Sequence, residues 1–394
     1  EMLMAGSVIS KYWGVYLNDF MRLMGWNANT NLTFGSFHID IAPIIIVAFF
    51  TTLLVFGTKI GARVDGAMTV LKIAIVFFVV IVGFFYVKAS NFTPFIPPSQ
   101  PASTVEGSSA VTGVMTQPLW QFATGMTPSV YGVPGILSGA ALVFFAFIGF
   151  DVVATASEET KNPHKNVPLG IGVGMLLIIV MYMLVAVVTT GMVSYADLAK
   201  QDSPSLATAF ELVGADWAAK IISFGIVLGL ATVVMVLLLG LTRIVFAMSR
   251  DGLLPRGLSK TGKHGTPAAL QIVVGAVVAL VAAFFDIGVL SDMVNIGTLS
   301  AFTLVAISIP IMRKKRPDLP RAFKMPGSPW IPILIAVANF WLMLNLSVLT
   351  WIRFVVWLVV GFAIYFGYGY WHARLGKGDL TETLSAETDK AVNG

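Results

Sequence analysis

The 394-residue sequence contains no cysteine and only four histidines, and Asp, Glu, Lys and Arg together make up 11% of it. Without cysteine, the chain forms neither disulfides nor thiolate metal sites. The histidines, His38, His164, His264 and His372, are far apart, so we predict no metal site and no cofactor. An ordinary soluble domain has about 25% charged residues, and the low content here argues against one.

Hydrophobic residues account for 57% of the chain, and they gather into long runs. A membrane-spanning helix needs about 20 mostly apolar residues. Ten runs have this character, at 2–23, 41–57, 66–87, 134–157, 167–192, 217–248, 268–285, 291–312, 330–349 and 351–371. The sequence therefore predicts an all-α polytopic membrane protein whose ten helices are surrounded by the lipid bilayer.

Basic residues lie in alternate connections between these runs. They are concentrated at 59–63, 161–165, 243–263, 313–324 and 374–390. By the positive-inside rule these regions are predicted to be cytoplasmic, including the C-terminus, in a protein of the plasma membrane. The formal net charge of +5 is thus spread over several loops. Nucleic-acid binding is not expected, because it needs basic residues gathered on one soluble face.

A glycine and an acid interrupt the run from 134 to 157. An aspartate at the centre of a spanning helix costs about 2.5 to 3.5 kcal/mol on insertion scales, so Asp151 needs a partner, a cavity or a function. Gly149 weakens the helix by about 1 kcal/mol relative to alanine. Two interpretations remain open. Either the helix is broken and its freed carbonyls bind cations or ammonium groups, or it is intact, with Gly149 packed closely and Asp151 capped by a neighbouring helix.

Lys72 is the strong base that lies well inside the run from 66 to 87. A lysine at this position can snorkel to the membrane interface. Alternatively, it is a buried amine that exchanges a proton at physiological pH, because burial disfavours its charged form. Its position in the sequence leaves both interpretations open.

Small and polar residues occur on the long run from 217 to 248. Gly225 and Gly229 form a small-xxx-small pair, which predicts close packing between helices. The Thr232 hydroxyl either contacts an ion or an amine, or bonds a carbonyl of its own helix. Met235, one turn further on, is a candidate for an apolar substrate pocket.

Four segments together resemble the amino acid, polyamine and organocation transporter superfamily, in particular its branch similar to cationic amino acid transporters. They are GFDVVATASEETKNP at 149–163, RIVFAMSRDGLLP at 243–255, IGTLSAF at 296–302 and PRAFKMPG at 320–327. Their order, spacing and side of the membrane match the family pattern. The resemblance runs from Glu1 to about Trp371.

The resemblance implies a leucine-transporter-type fold of two inverted five-helix repeats plus two extra helices. It aligns the first helix of this chain with the third of the family, so that two and a half family helices would be absent here. Residues 1–375 are then expected to form the permease domain, with ten helices that match family helices three to twelve. Residues 376–394 are expected to form a polar, disordered cytoplasmic tail.

The resemblance also implies roles for individual residues. The carbonyls of Phe145, Ala146 and Ile148, beside Gly149, would receive the α-ammonium of the substrate, and Phe150 would be the aromatic gate. Asp151 would support the break or select the substrate. For proton coupling, the resemblance implies Lys72 with a nearby hydroxyl at Thr232, and it places Glu1 at the position of a family glutamate.

These matches lead us to expect a secondary active transporter that imports amino acids, by proton symport with alternating access. An exchanger of amino acids or polyamines is an alternative, and so is a membrane sensor that binds amino acids without transporting them. No span holds a second acid, a histidine or a metal cluster beside Asp151, which argues against an enzyme. Phe145, Phe150 and Met235 favour a neutral substrate, whereas Asp151 favours a cationic one. The oligomeric state is left open, with a monomer among the options.

Overall fold

The structure is a computed structural model. It describes residues 1–26, 30–34, 37–57, 59–104, 113–150, 153, 160, 162–201, 205–262, 266–318, 325 and 327–373. Asp151 and the tail at 376–394 lie outside the described residues.

A described helix lies in each of the ten predicted spans, although several bounds differ by a few residues and the helix in the span 134–157 ends at Val143. The described α-helices are α1 (Met2–Leu23), α2 (Ile41–Phe56), α3 (Lys59–Phe84), α4 (Leu119–Thr124), α5 (Gly132–Val143), α6 (Pro163–Met192), α7 (Tyr195–Ala199), α8 (Leu206–Leu212), α9 (Asp216–Arg250), α10 (Ala268–Phe284), α11 (Ile287–Lys315), α12 (Trp330–Leu344), α13 (Val348–Ile364) and α14 (Tyr370–His372). A π turn that ends at Gly369 joins α13 to α14. The prediction of an all-α architecture is confirmed.

Among the described residues, five helical segments are long and apolar enough to cross a membrane. They are Gly66–Phe84, Lys165–Met192, Asp216–Arg250, Ile287–Lys315 and Val348–His372. Four further apolar helical segments are shorter, at Ile41–Phe56, Gly132–Phe147, Ala268–Phe284 and Trp330–Leu344. A 16-residue helix is only about 24 Å long, against about 30 Å of hydrocarbon. The shorter helices are thus several ångströms short of the hydrocarbon thickness, a mismatch that local thinning of the bilayer accommodates.

The long helix α9 lies at the centre of the packing. Its buried residues contribute to three apolar clusters, one with α3, α6 and α8, one with α2 and α10, and one with α1 and α11. Many of these buried positions are Ala or Gly, which let neighbouring backbones approach closely. The apolar side chains of α6 and α13, by contrast, are mostly exposed, as expected for helices that face lipid.

Glycines mark the closest approaches between helices. A Cβ added at Gly225 of α9 would lie 2.5 Å from Ile75 Cδ1 of α3, and one added at Gly275 of α10 would overlap the Thr51 hydroxyl of α2. The packing interpretation of Gly225 is therefore confirmed. A side chain at either position would require its neighbour to move.

The long connections contain more regular structure than their composition indicates. The stretch 89–133 is rich in Pro, Ser, Thr and Gly, which predicts an irregular lid over the outer surface. Its described part instead contains helix α4 and a short antiparallel sheet of β3 (Gln100–Pro101) and β4 (Ser129–Val130). The Trp120 indole donates to Asn345 Oδ1 at 3.0 Å, so α4 is fixed to the α12–α13 connection. In the connection before α2, a β-hairpin pairs β1 (Asn31–Phe34) with β2 (Phe37–Asp40).

Replacing Gly275 tests this packing directly. We expect Gly275→Ala to lower the free energy of unfolding by about 1 to 3 kcal/mol, because the new methyl group overpacks the α2–α10 contact. The matched control is Gly172→Ala on α6, where a Cβ would meet nothing within 4 Å. Thermal unfolding of the detergent-solubilised variants measures the difference. Equal midpoints for the two variants would contradict the packing account.

Candidate functional site

The helix that begins at Gly132 is broken near Gly149. The α-helix ends at Val143 and tightens into a 3₁₀ turn over Phe144–Phe147, after which Ile148 is extended, with φ −67° and ψ 139°. Gly149 follows with φ +113°, in a region that residues with a Cβ rarely adopt. The helix is therefore broken, as one interpretation predicted, and the alternative of an intact helix is wrong. The binding of a cation or an ammonium group by the carbonyls at the break stays a prediction.

The break lies against the central helices. The Phe145 and Ile148 side chains pack on a buried apolar cluster formed by α1, α9 and α11. Its members are Ala5, Val8, Leu237, Leu290 and Val294. The irregular backbone is therefore buried in protein on this side, as unwound segments at membrane depth require.

An aromatic group follows the break. The Phe150 ring lies 5.1 Å from the ring of Phe302 on α11, and Phe144 lies 6.0 Å from the same ring in an edge-to-face arrangement. Phe302 is the last residue of the 296–302 segment that carried part of the family resemblance. The predicted gate residue thus has an aromatic partner on another helix.

Tyr182 of α6 donates a hydrogen bond into the break. Its hydroxyl lies 2.8 Å from the Ala146 carbonyl oxygen, and its ring lies 5.2 Å from that of Phe147. Ala146 is one of the three carbonyls to which the resemblance assigned the ammonium of the substrate. Nothing in the sequence pattern pointed to Tyr182, which is one aromatic residue in a long apolar helix.

Asn295 of α11 holds the start of the break from another helix. Its side-chain amide donates to the Leu142 carbonyl at 3.2 Å, one residue before the α-helix ends. Asn295 is fully buried, and its Oδ1 atom has no hydrogen-bond partner in the described part of the chain. A buried asparagine one residue before the IGTLSAF segment was a detectable signal, but its position next to α5 was not readable from the sequence.

A second group of predicted residues meets where α3 packs on α9. The stem of Lys72 lies over Gly229, where an added Cβ would be 3.2 Å from Lys72 Cγ and 3.7 Å from Cε. The buried Thr232 hydroxyl donates to the Gly229 carbonyl at 3.0 Å, so the bond to its own helix is present. A donating hydroxyl still has lone pairs with which to accept. Lys72 and Thr232 are therefore both placed around Gly229.

Met235 is placed away from the break. It is buried in the cluster that α9 forms with α2 and α10, whereas Val233 and Leu237 of the same helix face Phe145 and Ile148. Two residues correspond to about 200° around a helix, so Met235 points to the opposite side. Met235 therefore faces away from Phe145 and Ile148, and its place in the substrate pocket stays a prediction.

Glu1 lies at yet another location. It lines a mostly apolar cavity of about 1060 Å³, together with residues of α10, α11 and α13 that include Arg353. Neither Lys72 nor Thr232 lines this cavity. The structure thus brings Lys72 and Thr232 together, without placing Glu1 in the same cavity.

Apolar helices packed around a helix that is broken within the bundle define the class of multi-pass membrane transporters. Residues 4–369 match the model of the amino acid permease family. The chain belongs to this family.

Several relatives are similar over most of the chain. The branched-chain amino acid permease BcaP of Bacillus subtilis (strain 168) is 39% identical, over 96% of this chain and 76% of the relative. The methylthioribose transporter of the same organism is 36% identical over the same shares. The vacuolar cationic amino acid transporter 4 of Arabidopsis thaliana is 34% identical, over 71% of this chain and 42% of the relative.

Removing the Asn295 side chain tests the role of its hydrogen bond to the Leu142 carbonyl. We expect Asn295→Ala to reduce amino acid uptake per folded protein by about tenfold, because the break loses the side-chain hydrogen bond that fixes its start to α11, and one such bond contributes about 0.5 to 1.5 kcal/mol. The matched control is Thr298→Val, since the Thr298 hydroxyl bonds only the Val294 carbonyl of its own helix. Uptake into proteoliposomes, normalised to correctly folded protein, is the measurement. Equal uptake by the two variants would remove Asn295 from the site.

Proposed function

We propose that this protein imports amino acids across the plasma membrane by proton symport with alternating access. The observation that carries the proposal is the helix break at Phe144–Phe150, which takes backbone carbonyls out of the regular α-helical pattern beside α6, α9 and α11. Transporters use such breaks to bind ions and charged substrate groups near the middle of the bilayer. The membership of the amino acid permease family supports the same conclusion.

The carbonyls of Phe145, Ala146 and Ile148 are the proposed receptors of the α-ammonium group of the substrate. The Phe145 carbonyl accepts from the Ile148 N–H at 3.1 Å and the Ala146 carbonyl from Tyr182, in place of the usual α-helical donors. A carbonyl oxygen has a second lone pair, and an ammonium group offers three donors. Phe150, supported by Phe302 at 5.1 Å, then closes over the bound substrate. In the transport step, the substrate site closes to one side of the membrane and opens to the other.

We assign proton coupling to Lys72. Its stem crosses Gly229, and the Thr232 hydroxyl lies within one turn of that glycine. Protonation of an amine held between two helices changes the charge at their contact, and so biases their relative position. One proton moving down a 100 mV potential supplies about 2.3 kcal/mol, and each pH unit adds about 1.36 kcal/mol. Together these terms support accumulation of up to a few hundredfold.

The substrate class we favour is neutral amino acids with an apolar side chain. The break is surrounded by aromatic rings, those of Phe144, Phe145, Phe150 and Phe302. A cationic substrate side chain would have to lose its hydration to lie among them. The relative with 39% identity is named for branched-chain amino acids. The Arabidopsis relative named for cationic amino acids has a lower identity, of 34%.

The coupling role is tested with Lys72→Ala in sodium-free proteoliposomes. Wild-type uptake is expected to rise when the outside is made acidic, whereas Lys72→Ala is expected to lose this rise because no side chain at this position takes up the proton. The matched control is Lys88→Ala at the end of the same segment, where the lysine side chain is exposed. A Lys72→Ala variant that retained the full response to the pH gradient would contradict the assignment.

The substrate class and the role of Asp151 are tested together with a panel of radiolabelled amino acids. We expect leucine, isoleucine and valine to be taken up in preference to lysine and arginine. If Asp151 supports the break, Asp151→Asn should reduce the uptake of every substrate by a similar factor. A loss confined to cationic substrates would show that Asp151 selects them, and would contradict the neutral class.

A further inference from the structure

Tyr182 occupies an atom that the substrate is expected to use. Its hydroxyl donates to the Ala146 oxygen at 2.8 Å, and its ring is held against Phe147 at an interplanar angle of 62°. Among the described residues, Tyr182 is the side chain that donates to this oxygen. The bond joins α6 to the 3₁₀ turn between residues that are 36 positions apart.

A free carbonyl at membrane depth is unfavourable when no substrate is bound. An unsatisfied backbone group in an apolar environment is strongly penalised, and no water is available in the hydrocarbon region. When the site is open to one side, water can donate to the Ala146 oxygen. When the empty site closes, water is excluded, and the phenol remains as the donor.

We propose that Tyr182 is a positioning residue that stands in for the ammonium group of the substrate in the empty transporter. It donates to the Ala146 carbonyl while the site is empty and gives way to the ammonium group when substrate binds. This inference rests on the proposed function, because it takes the Ala146 carbonyl as part of the ammonium site.

The proposal separates two modes of transport. Net uptake requires the empty transporter to return across the closed state, where the bond from Tyr182 matters. Exchange of substrate for substrate avoids this step, since the ammonium group pairs the carbonyl in both directions. Loss of the hydroxyl should therefore slow net uptake without slowing exchange.

The test compares Tyr182→Phe with wild type in proteoliposomes containing radiolabelled leucine. We expect the maximal rate of gradient-driven net uptake to fall by about two- to tenfold, the range of one hydrogen bond. The rate of leucine exchange should stay within the error of wild type, and the KM for leucine should stay equal or fall, because the ammonium group no longer competes with the phenol.

The matched control is Tyr195→Phe, which makes the same chemical change on α7, where the ring packs against Tyr131. It should alter neither mode. A proportional fall of uptake and exchange in Tyr182→Phe would indicate a purely structural role and overturn the proposal, as would unchanged net uptake. A raised KM would overturn it too, because Tyr182 would then bind the substrate itself.

Two further readouts separate the failure of this inference from failure of the proposed function. If the wild-type protein showed no gradient-driven uptake, symport would be contradicted. Equilibrium leucine binding would then test the role of Tyr182. Equal or tighter binding by Tyr182→Phe would support the proposal, and weaker binding would overturn it. If Tyr182→Phe does not reconstitute, Phe147→Leu removes the ring that supports the same hydroxyl. It should give the same selective loss of net uptake, and a proportional loss of both modes would overturn the proposal.

Discussion

Hydrogen bonding of the backbone in the absence of water is the constraint on which this structure depends. Most of the described chain meets it with helices, whose backbone bonds are internal. The turn at Phe144–Phe150 departs from this solution, and it is held by groups from other helices. Asn295 pairs the carbonyl before the turn, and Tyr182 pairs one within it. The break is thus a supported irregularity, and the proposed transport chemistry uses the same carbonyls that need support.

The packing around the break divides the helices into two kinds. Buried clusters join α9 to α1, α2 and α10, with small residues at the contacts. Helix α6 exposes most of its apolar residues and touches the break through Tyr182 and Phe147. Its C-terminal part still packs with α3 and α9 in a buried cluster, through Val188 and Met192. The contact between Phe150 and Phe302, and the bond from Asn295, join the break to α11.

The sequence predicted the features that depend on composition and local backbone chemistry. Apolar runs located the helices, Gly149 located the break, and Gly225 indicated a close helix contact. Lys72 and Thr232 were paired by the family resemblance, and both lie around Gly229. These features depend on residues whose effect is local, or on a pattern shared by related chains.

The features that the sequence could not predict depend on which side of a helix faces which neighbour. Met235 is apolar and close in sequence to Thr232, but it lies on the α2 and α10 side of α9. Tyr182 and Asn295 reach the break across long sequence separations, of 36 and 153 residues. The strands in the connections that precede α2 and α5 are only two to four residues long, too short for an alternating pattern to show.

The central claim is that the broken helix contains the substrate site. Because the chain has no cysteine, one introduced cysteine can report on it without interference. Ala146 and Ala140 are both exposed residues on the Gly132–Phe147 segment, so Ala146→Cys and Ala140→Cys form a matched pair. The account predicts that leucine slows the labelling of Cys at position 146 by a thiol reagent, and leaves labelling at position 140 unchanged. If leucine left the labelling rate at position 146 unchanged, in protein that binds leucine, the claim would be contradicted.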